Sequence, residues 1–305
     1  MAERPEHIKQ LIQAIVDRNS LQTDFLKSSL LEIKTEEMAD FDAYVEFALA
    51  GQLEIAYLAE CYDLIVKDTL REQIYFQRHK KYRYSSFDEV ASSVYFDDEY
   101  MRRYMHGLAI TAYLWPNHRA LHRYFLESLG SLPASTTGDY LEIGPGHGMY
   151  MMSAMRKSDF SRFHGIDISP TSVEMTRSLL GSDNFGEFEN YQVFEQDFLD
   201  GQLADESYSA VVMGEVLEHV EQPGIFLETI NRISKDDAFI FLTTPINAPA
   251  IDHIYLFDSF ESIEALVIDA GMVVKDSLLV PYPGLSVEES MAQTLPVNVA
   301  LVLGK

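Results

Sequence analysis

The stretch YLEIGPGHGMY, residues 140–150, places three glycines (Gly144, Gly146 and Gly148) in a loop directly behind a short apolar run. The run YLEI has the length and bulk of a buried strand, and GMYMMSAMRK behind the loop reads as a helix. A strand, a glycine turn and a helix form the opening unit of a sheet that binds ligands at the carboxyl ends of its strands. The glycines let the backbone turn tightly and approach a ligand, while the helix offers free N–H groups. The spacing G-x-G-x-G lacks the lysine of a Walker loop, and its third glycine comes one residue early for the dinucleotide pattern G-x-G-x-x-G. An acid, Glu142, stands before the loop, and a carboxylate there suits a cationic ligand better than a phosphate.

Downstream, the apolar runs FHGID, YQVFEQD, YSAVVMG and DAFIFLTTP alternate with helical patterns such as SPTSVEMTRSLL and PGIFLETINRIS. That alternation predicts an α/β fold, a doubly wound sheet of parallel strands. Two further strands, MVVKDSLLV and VNVALVLG, come without an obvious crossover helix. Upstream, the pattern is helical. Ile8, Leu11, Ile12 and Ile15 share one helix face, Leu53, Tyr57, Cys61, Leu64 and Ile65 a second, and Leu121, Tyr124, Phe125 and Leu129 a third. Asp97 or Asp98 can cap a helix and Pro116 can open one, whereas RHKKYRYSS interrupts the pattern. The connector LGSLPASTTGD divides an all-α region, residues 1–131, from an α/β domain, residues 132–305.

The composition narrows the partners. With 23 Lys plus Arg against 48 Asp plus Glu, the net charge of -25 repels phosphate backbones and anionic lipid surfaces. Nucleic acid and membrane are therefore not expected as partners. Cys61 is the only cysteine, so no intrachain disulfide can form. The start MAERPEHIKQ lacks the apolar core of a signal peptide, and no apolar run approaches the roughly 20 residues of a membrane span. The expected location is cytoplasmic.

Three further segments bear on the ligand. GIDISP ends the second strand and puts Asp167 about 20 residues past the glycine loop, the position of a carboxylate that holds ribose hydroxyls. FEQDFLD ends the third, where Asp197 can accept from an exocyclic amine and Phe198 can stack on a purine. The fourth leads into GEVLEHVEQP. In this order and spacing, the four segments resemble the class I S-adenosylmethionine-dependent methyltransferases.

The resemblance covers about residues 139–305. It implies a Rossmann-like seven-stranded sheet with the last strand antiparallel, and S-adenosyl-L-methionine as cofactor. Carried over residue by residue, it sets Gly144, Pro145, Gly146 and Gly148 against the methionine part of the cofactor and Glu142 beneath its ammonium. Asp167 then falls on the ribose, Ile168 beside the adenine, and Asp197 with Phe198 at the adenine edge and face. Glu215 can face cofactor or acceptor. EVLEHV is common in the small-molecule branch, which implies O-, N- or C-methylation of a small molecule in biosynthesis or secondary metabolism.

For the chemistry, His253, in a loop that borders the acceptor site in the family, is the expected base. An imidazole with an ordinary pKa near roughly 6.5 suits proton removal at neutral pH. Glu215 and His219 are the next candidates, and Tyr104, His118 and Tyr255 are the expected acceptor-binding residues. His118 and His122 have a metal-compatible spacing without an evident third ligand, so no metal is expected. The helical region is expected to close over the site or to pair two copies of the chain. The competing readings are a nucleotide-dependent oxidoreductase, disfavoured by the glycine spacing and Glu142, and a non-catalytic S-adenosylmethionine-binding partner.

Overall fold

The computed structural model describes residues 5–305. The chain opens with α1 (Glu6–Arg18), α2 (Thr23–Glu32), α3 (Thr35–Ala50), α4 (Ile55–His79), the short α5 (Phe87–Val90), α6 (Asp98–Leu114) and α7 (Pro116–Gly130). The sequence signals act where expected. Asp97 caps α6 by accepting from the Tyr100 N–H, and Pro116 is the first residue of α7, where its missing N–H costs no helix hydrogen bond. α4 stops at Lys80, which turns left-handed (φ 53°), and Leu53 lies just before α4 begins.

From β1 (Asp139–Ile143) the chain alternates: α8 (Met149–Lys157), β2 (Arg162–Asp167), α9 (Pro170–Leu180), β3 (Tyr191–Glu195), β4 (Tyr208–Gly214), α10 (Pro223–Ile233), β5 (Ser234–Ile246) and α11 (Phe260–Asp269). β6 (Val273–Val280), α12 (Val287–Ala292) and β7 (Val297–Gly304) complete it. The seven strands form one sheet in the order β3-β2-β1-β4-β5-β7-β6. β7 inserts antiparallel between β5 and β6, which accounts for two final strands without a parallel crossover. The other neighbours are parallel. β4 is buried along nearly its whole length, as the continuous apolar run YSAVVMG requires of a strand covered on both faces. The chain runs outward from β1 through β2 to β3 and then returns to β4, so the strand order reverses between β1 and β4 and opens a crevice at their carboxyl ends.

The hydrophobic core does not respect the boundary at residue 131. Phe125 of α7 packs on Phe241 of β5 with ring centroids 5.0 Å apart, and on Tyr150 of α8 at 4.9 Å. One cluster of buried side chains runs from Ile8 and Leu11 of α1 through Phe125 to Val212 and Phe241 of the sheet. Phe125 alone, fully buried, is worth roughly 1.5–3 kcal/mol of apolar burial. α6 lies against α4 so closely that a Cβ on Gly107 would come 2.4 Å from the Cys61 carbonyl oxygen. The helices therefore form a fixed wall over the crevice. Among the described residues, no helix is long and apolar enough to cross a membrane.

Candidate functional site

The glycine loop runs from the end of β1 into α8. Gly144, Gly146 and Gly148 all take positive φ (67°, 55° and 81°), a region that L side chains enter only with strain. The Gly144 N–H donates to the Ile166 carbonyl at 2.8 Å, and the Gly148 N–H to that of Pro145 at 2.7 Å, which ties the loop to the β2 end. A Cβ on Gly144 would stand 2.6 Å from Val216 Cγ2. Asp167, the last residue of β2, accepts from the Gly146 N–H at 3.2 Å and the Ser169 N–H at 2.9 Å. It thus pins the loop from below.

Glu142 is buried in β1, where Tyr140 donates its hydroxyl to Oε2 at 2.5 Å and the Met151 N–H also donates. Burial lifts its pKa to about 8, against the effect of those hydrogen bonds. Burial likewise lifts Asp167 to about 6, although backbone N–H groups favour its charged form. Two buried carboxyls with raised pKa thus stand beside the glycine loop.

Above the loop lies a cavity of about 1040 Å³, floored by the carboxyl ends of the strands and roofed by the helical region through Tyr104, Met105, Trp115 and His118. Every cofactor residue expected from the sequence lines it except Gly148, which sits behind the loop as the residue that starts α8. Tyr104 and His118 line it as well, but Tyr255 does not. The half-buried Tyr255 ring instead packs on Phe257, with centroids 4.8 Å apart, against the edge of the core. His118 and His122 are held separately, His118 Nδ1 by Thr111 Oγ1 at 3.1 Å and His122 Nε2 by Ser153 Oγ at 2.9 Å. Burial takes both down to about 4, so they are neutral imidazoles.

The polar wall opposite the loop follows β4 and β5. Glu215 turns left-handed (φ 54°) as β4 ends, with its N–H on the Thr243 carbonyl at 3.0 Å, and its Oε1 is buried without a partner. Burial, then the nearby Glu218 carboxylate, raise its pKa well above the ordinary value. His219 Nδ1 lies 3.0 Å from the Asp252 carbonyl and 3.5 Å from Oδ2 of the same residue. Burial pulls the His219 pKa down, but the Asp252 and Glu218 carboxylates outweigh it and leave the imidazole raised. His253 reaches the cavity with Nδ1 2.6 Å from the Ala248 carbonyl. Burial and then His219 pull it to about 3, so a rate limb centred near 6.5 is not expected from this residue.

Two residues that the sequence did not single out complete the wall. Asp252 accepts from Tyr95 at 3.2 Å and from Tyr104 at 3.1 Å, bridging the helical roof to the β5 loop. Glu218, fully buried, has Oε2 on Thr244 Oγ1 at 2.8 Å. Glu218 and Asp252 each precede a histidine in sequence, and that repeated acid–histidine pairing is the one signal that pointed to them.

Residues 101–273 match the family described as "Methyltransferase domain", more than half of the chain. The chain belongs to this methyltransferase family. The matched span begins in α6 and takes in α7. Among solved structures, the methyltransferase is similar to the mitomycin 7-O-methyltransferase MmcR, at 13% identity over 82% of this chain and 70% of that chain, with a TM-score of 0.54. A SAM dependent methyltransferase from Aquifex aeolicus aligns at 16% identity over 61% and 93% of the two chains, with a TM-score of 0.45. The cyclopropane synthase MmaA2 from Mycobacterium tuberculosis aligns at 14% over 63% and 85%, with a TM-score of 0.48. At 13% identity the likeness to MmcR bears on the fold alone. No curated protein sequence matches the chain. The methyltransferase takes its methyl group from S-adenosylmethionine.

Proposed function

We propose that this methyltransferase acts on a small molecule carrying a hydroxyl, bound between the glycine loop and the helical roof. The observation that carries the reading is the cavity itself. At about 1040 Å³ it reaches the upper end of the roughly 300–1,000 Å³ of single-ligand sites, which leaves room for an acceptor beside the cofactor. The roof of Tyr104, Met105 and Trp115 is apolar and aromatic, whereas the wall of Glu215, His219 and Asp252 is polar. An acceptor with an apolar body and an oxygen on one side matches that division.

S-adenosylmethionine would supply a methyl on a cationic sulfonium: transfer to the acceptor oxygen would leave the S–CH3 electron pair on sulfur and release the hydroxyl proton to solvent. The residues present fit this group. The left-handed glycine backbone keeps the loop free of side chains, with a Cβ at Gly144 excluded by Val216; the Glu142 carboxylate would counter the ammonium, and Asp167 would accept from ribose hydroxyls. Ile168, Asp197 and Phe198 flank the base. The protein's part is alignment and water exclusion.

The test incubates the enzyme with methyl-labelled cofactor and three fractions of a cell extract: small molecules, RNA and protein. Label confined to the small-molecule fraction supports the reading, and label in RNA or protein overturns it.

A further inference from the structure

His219 and His253 stand edge to face, with ring centroids 4.8 Å apart and planes at 81°. Each Nδ1 is set against a backbone carbonyl, that of Asp252 for His219 and that of Ala248 for His253. A carbonyl can only accept, so both Nδ1 atoms carry hydrogen and each Nε2 is left to present a lone pair. Both Nε2 atoms face the same point: each lies 3.9 Å from Glu218 Oε1. That oxygen is buried with no hydrogen-bond partner, because Thr244 occupies only Oε2. The three atoms lie within 4.8 Å of one another.

Three electron-pair donors thus converge at distances too long for a hydrogen bond. A shared proton does not resolve this at 3.9 Å. A cation does. For a metal–ligand bond of about 2.1 Å, ligand atoms stand roughly 3.0 Å apart at a right angle and 3.4 Å apart at the tetrahedral angle, so each side chain needs to move by less than about 1 Å. The carbonyls on the two Nδ1–H groups are the outer partners that orient histidine ligands. Glu215 adds a second unpartnered buried oxygen three residues before Glu218 and lines the same cavity as the two histidines.

We infer that Glu218, His219 and His253, closed by Glu215, form a binding site for one divalent first-row transition metal ion on the acceptor wall of the cavity. Imidazole and carboxylate together suit Mn²⁺, Fe²⁺, Co²⁺ or Zn²⁺ over Ca²⁺. Glu218 holds the ion from behind, whereas Glu215, His219 and His253 line the cavity, so the open side faces the acceptor. There the ion binds the acceptor hydroxyl oxygen, weakens its O–H bond and holds it in line for attack, and the proton leaves to solvent. The oxidation state of the ion does not change. His253 is then a ligand, and no metal-free base is required. The catalytic role rests on the reading of the cavity given above, while the metal site itself does not.

The experiment uses the full chain, stripped with chelator and desalted, and titrates Co²⁺ without cofactor or acceptor, read by calorimetry and by visible absorption. One equivalent should bind, with bands characteristic of imidazole coordination. His219→Ala, His253→Ala and Glu218→Gln should each weaken binding by more than the roughly 10–100-fold that outer-sphere changes cost, and Glu215→Gln by about 10-fold. His7→Ala, which dismantles the surface group of His7, Asp42 and Glu46, should leave binding unchanged. Circular dichroism and S-adenosylmethionine binding verify that each variant is folded. No stoichiometric binding, or equal binding by the His219→Ala/His253→Ala double variant, overturns the site. Because Co²⁺ binding is read without turnover, it stands or falls separately from the nature of the acceptor.

Discussion

Replacing Glu142 by Gln should strengthen the free protein and weaken it as an enzyme. In the folded chain Glu142 keeps its proton up to about pH 8, whereas the ordinary value for the unfolded chain is 4.5. The native state therefore binds the extra proton, and the stability it confers is complete below pH 4.5 and lost as pH rises through 8. At 1.36 kcal/mol per unit, the loss amounts to about 3 kcal/mol at pH 7 and approaches 5 kcal/mol above pH 8. Gln keeps an oxygen for the Tyr140 hydroxyl and has nothing to ionise. Wild type and Glu142→Gln should thus agree within about 1 kcal/mol at pH 5, and the variant should be more stable by about 2–4 kcal/mol at pH 8. Asp167, Glu215 and Glu218 are also raised, so both proteins weaken with pH, and the difference between them isolates Glu142. Urea unfolding across pH 5 to 8 measures it. Cofactor binding restores the charge by pairing it with the ammonium, so at pH 7 it releases a proton. Its calorimetric enthalpy should then vary with buffer in the wild type and not in the variant, whose affinity falls at least about 10-fold. Parallel stability curves for the two proteins would refute this account of Glu142.

Two further outcomes follow from the fold. Asp167→Ala removes the proposed ribose acceptor and the pin on the Gly146 N–H, so S-adenosylmethionine affinity should drop about 10–100-fold by calorimetry, the equivalent of roughly 1.5–3 kcal/mol. Gly107→Ala puts a methyl 2.4 Å from the Cys61 carbonyl oxygen, and the α4–α6 contact must open. Urea denaturation should register about 1–3 kcal/mol lost, with turnover impaired because α6 carries Tyr104 into the roof.

Much of this protein was written locally. The alternation after residue 138, the positive-φ glycines behind β1, the helix caps at Asp97 and Pro116, and Asp167 at the end of β2 each express a preference that a few neighbouring residues set among themselves. Periodicity decides which face of a strand or helix is apolar, and spacing along a strand–loop–helix unit decides which side chain meets the loop. Which distant loops meet is another matter. His253 lies far along the chain from Glu218 and reaches it because β4 and β5 pair side by side, and because the Ile254 and Tyr255 N–H groups both donate to the Glu218 carbonyl, at 2.9 and 3.0 Å. That same backbone placement turns Tyr255 away from the cavity and against the core, although its sequence position next to the acceptor loop suggested otherwise. Charge states were equally beyond local reading, since the pKa of about 3 at His253 and about 8 at Glu142 arise from burial, which depends on the helical roof folding over the sheet. The sequence by itself determined the elements, their order and the glycine loop behind β1. The meeting of Glu218, His219 and His253, and the low-dielectric surroundings that set how they behave, came only with the tertiary structure, because contacts between remote loops depend on strand pairing and packing that no local pattern encodes.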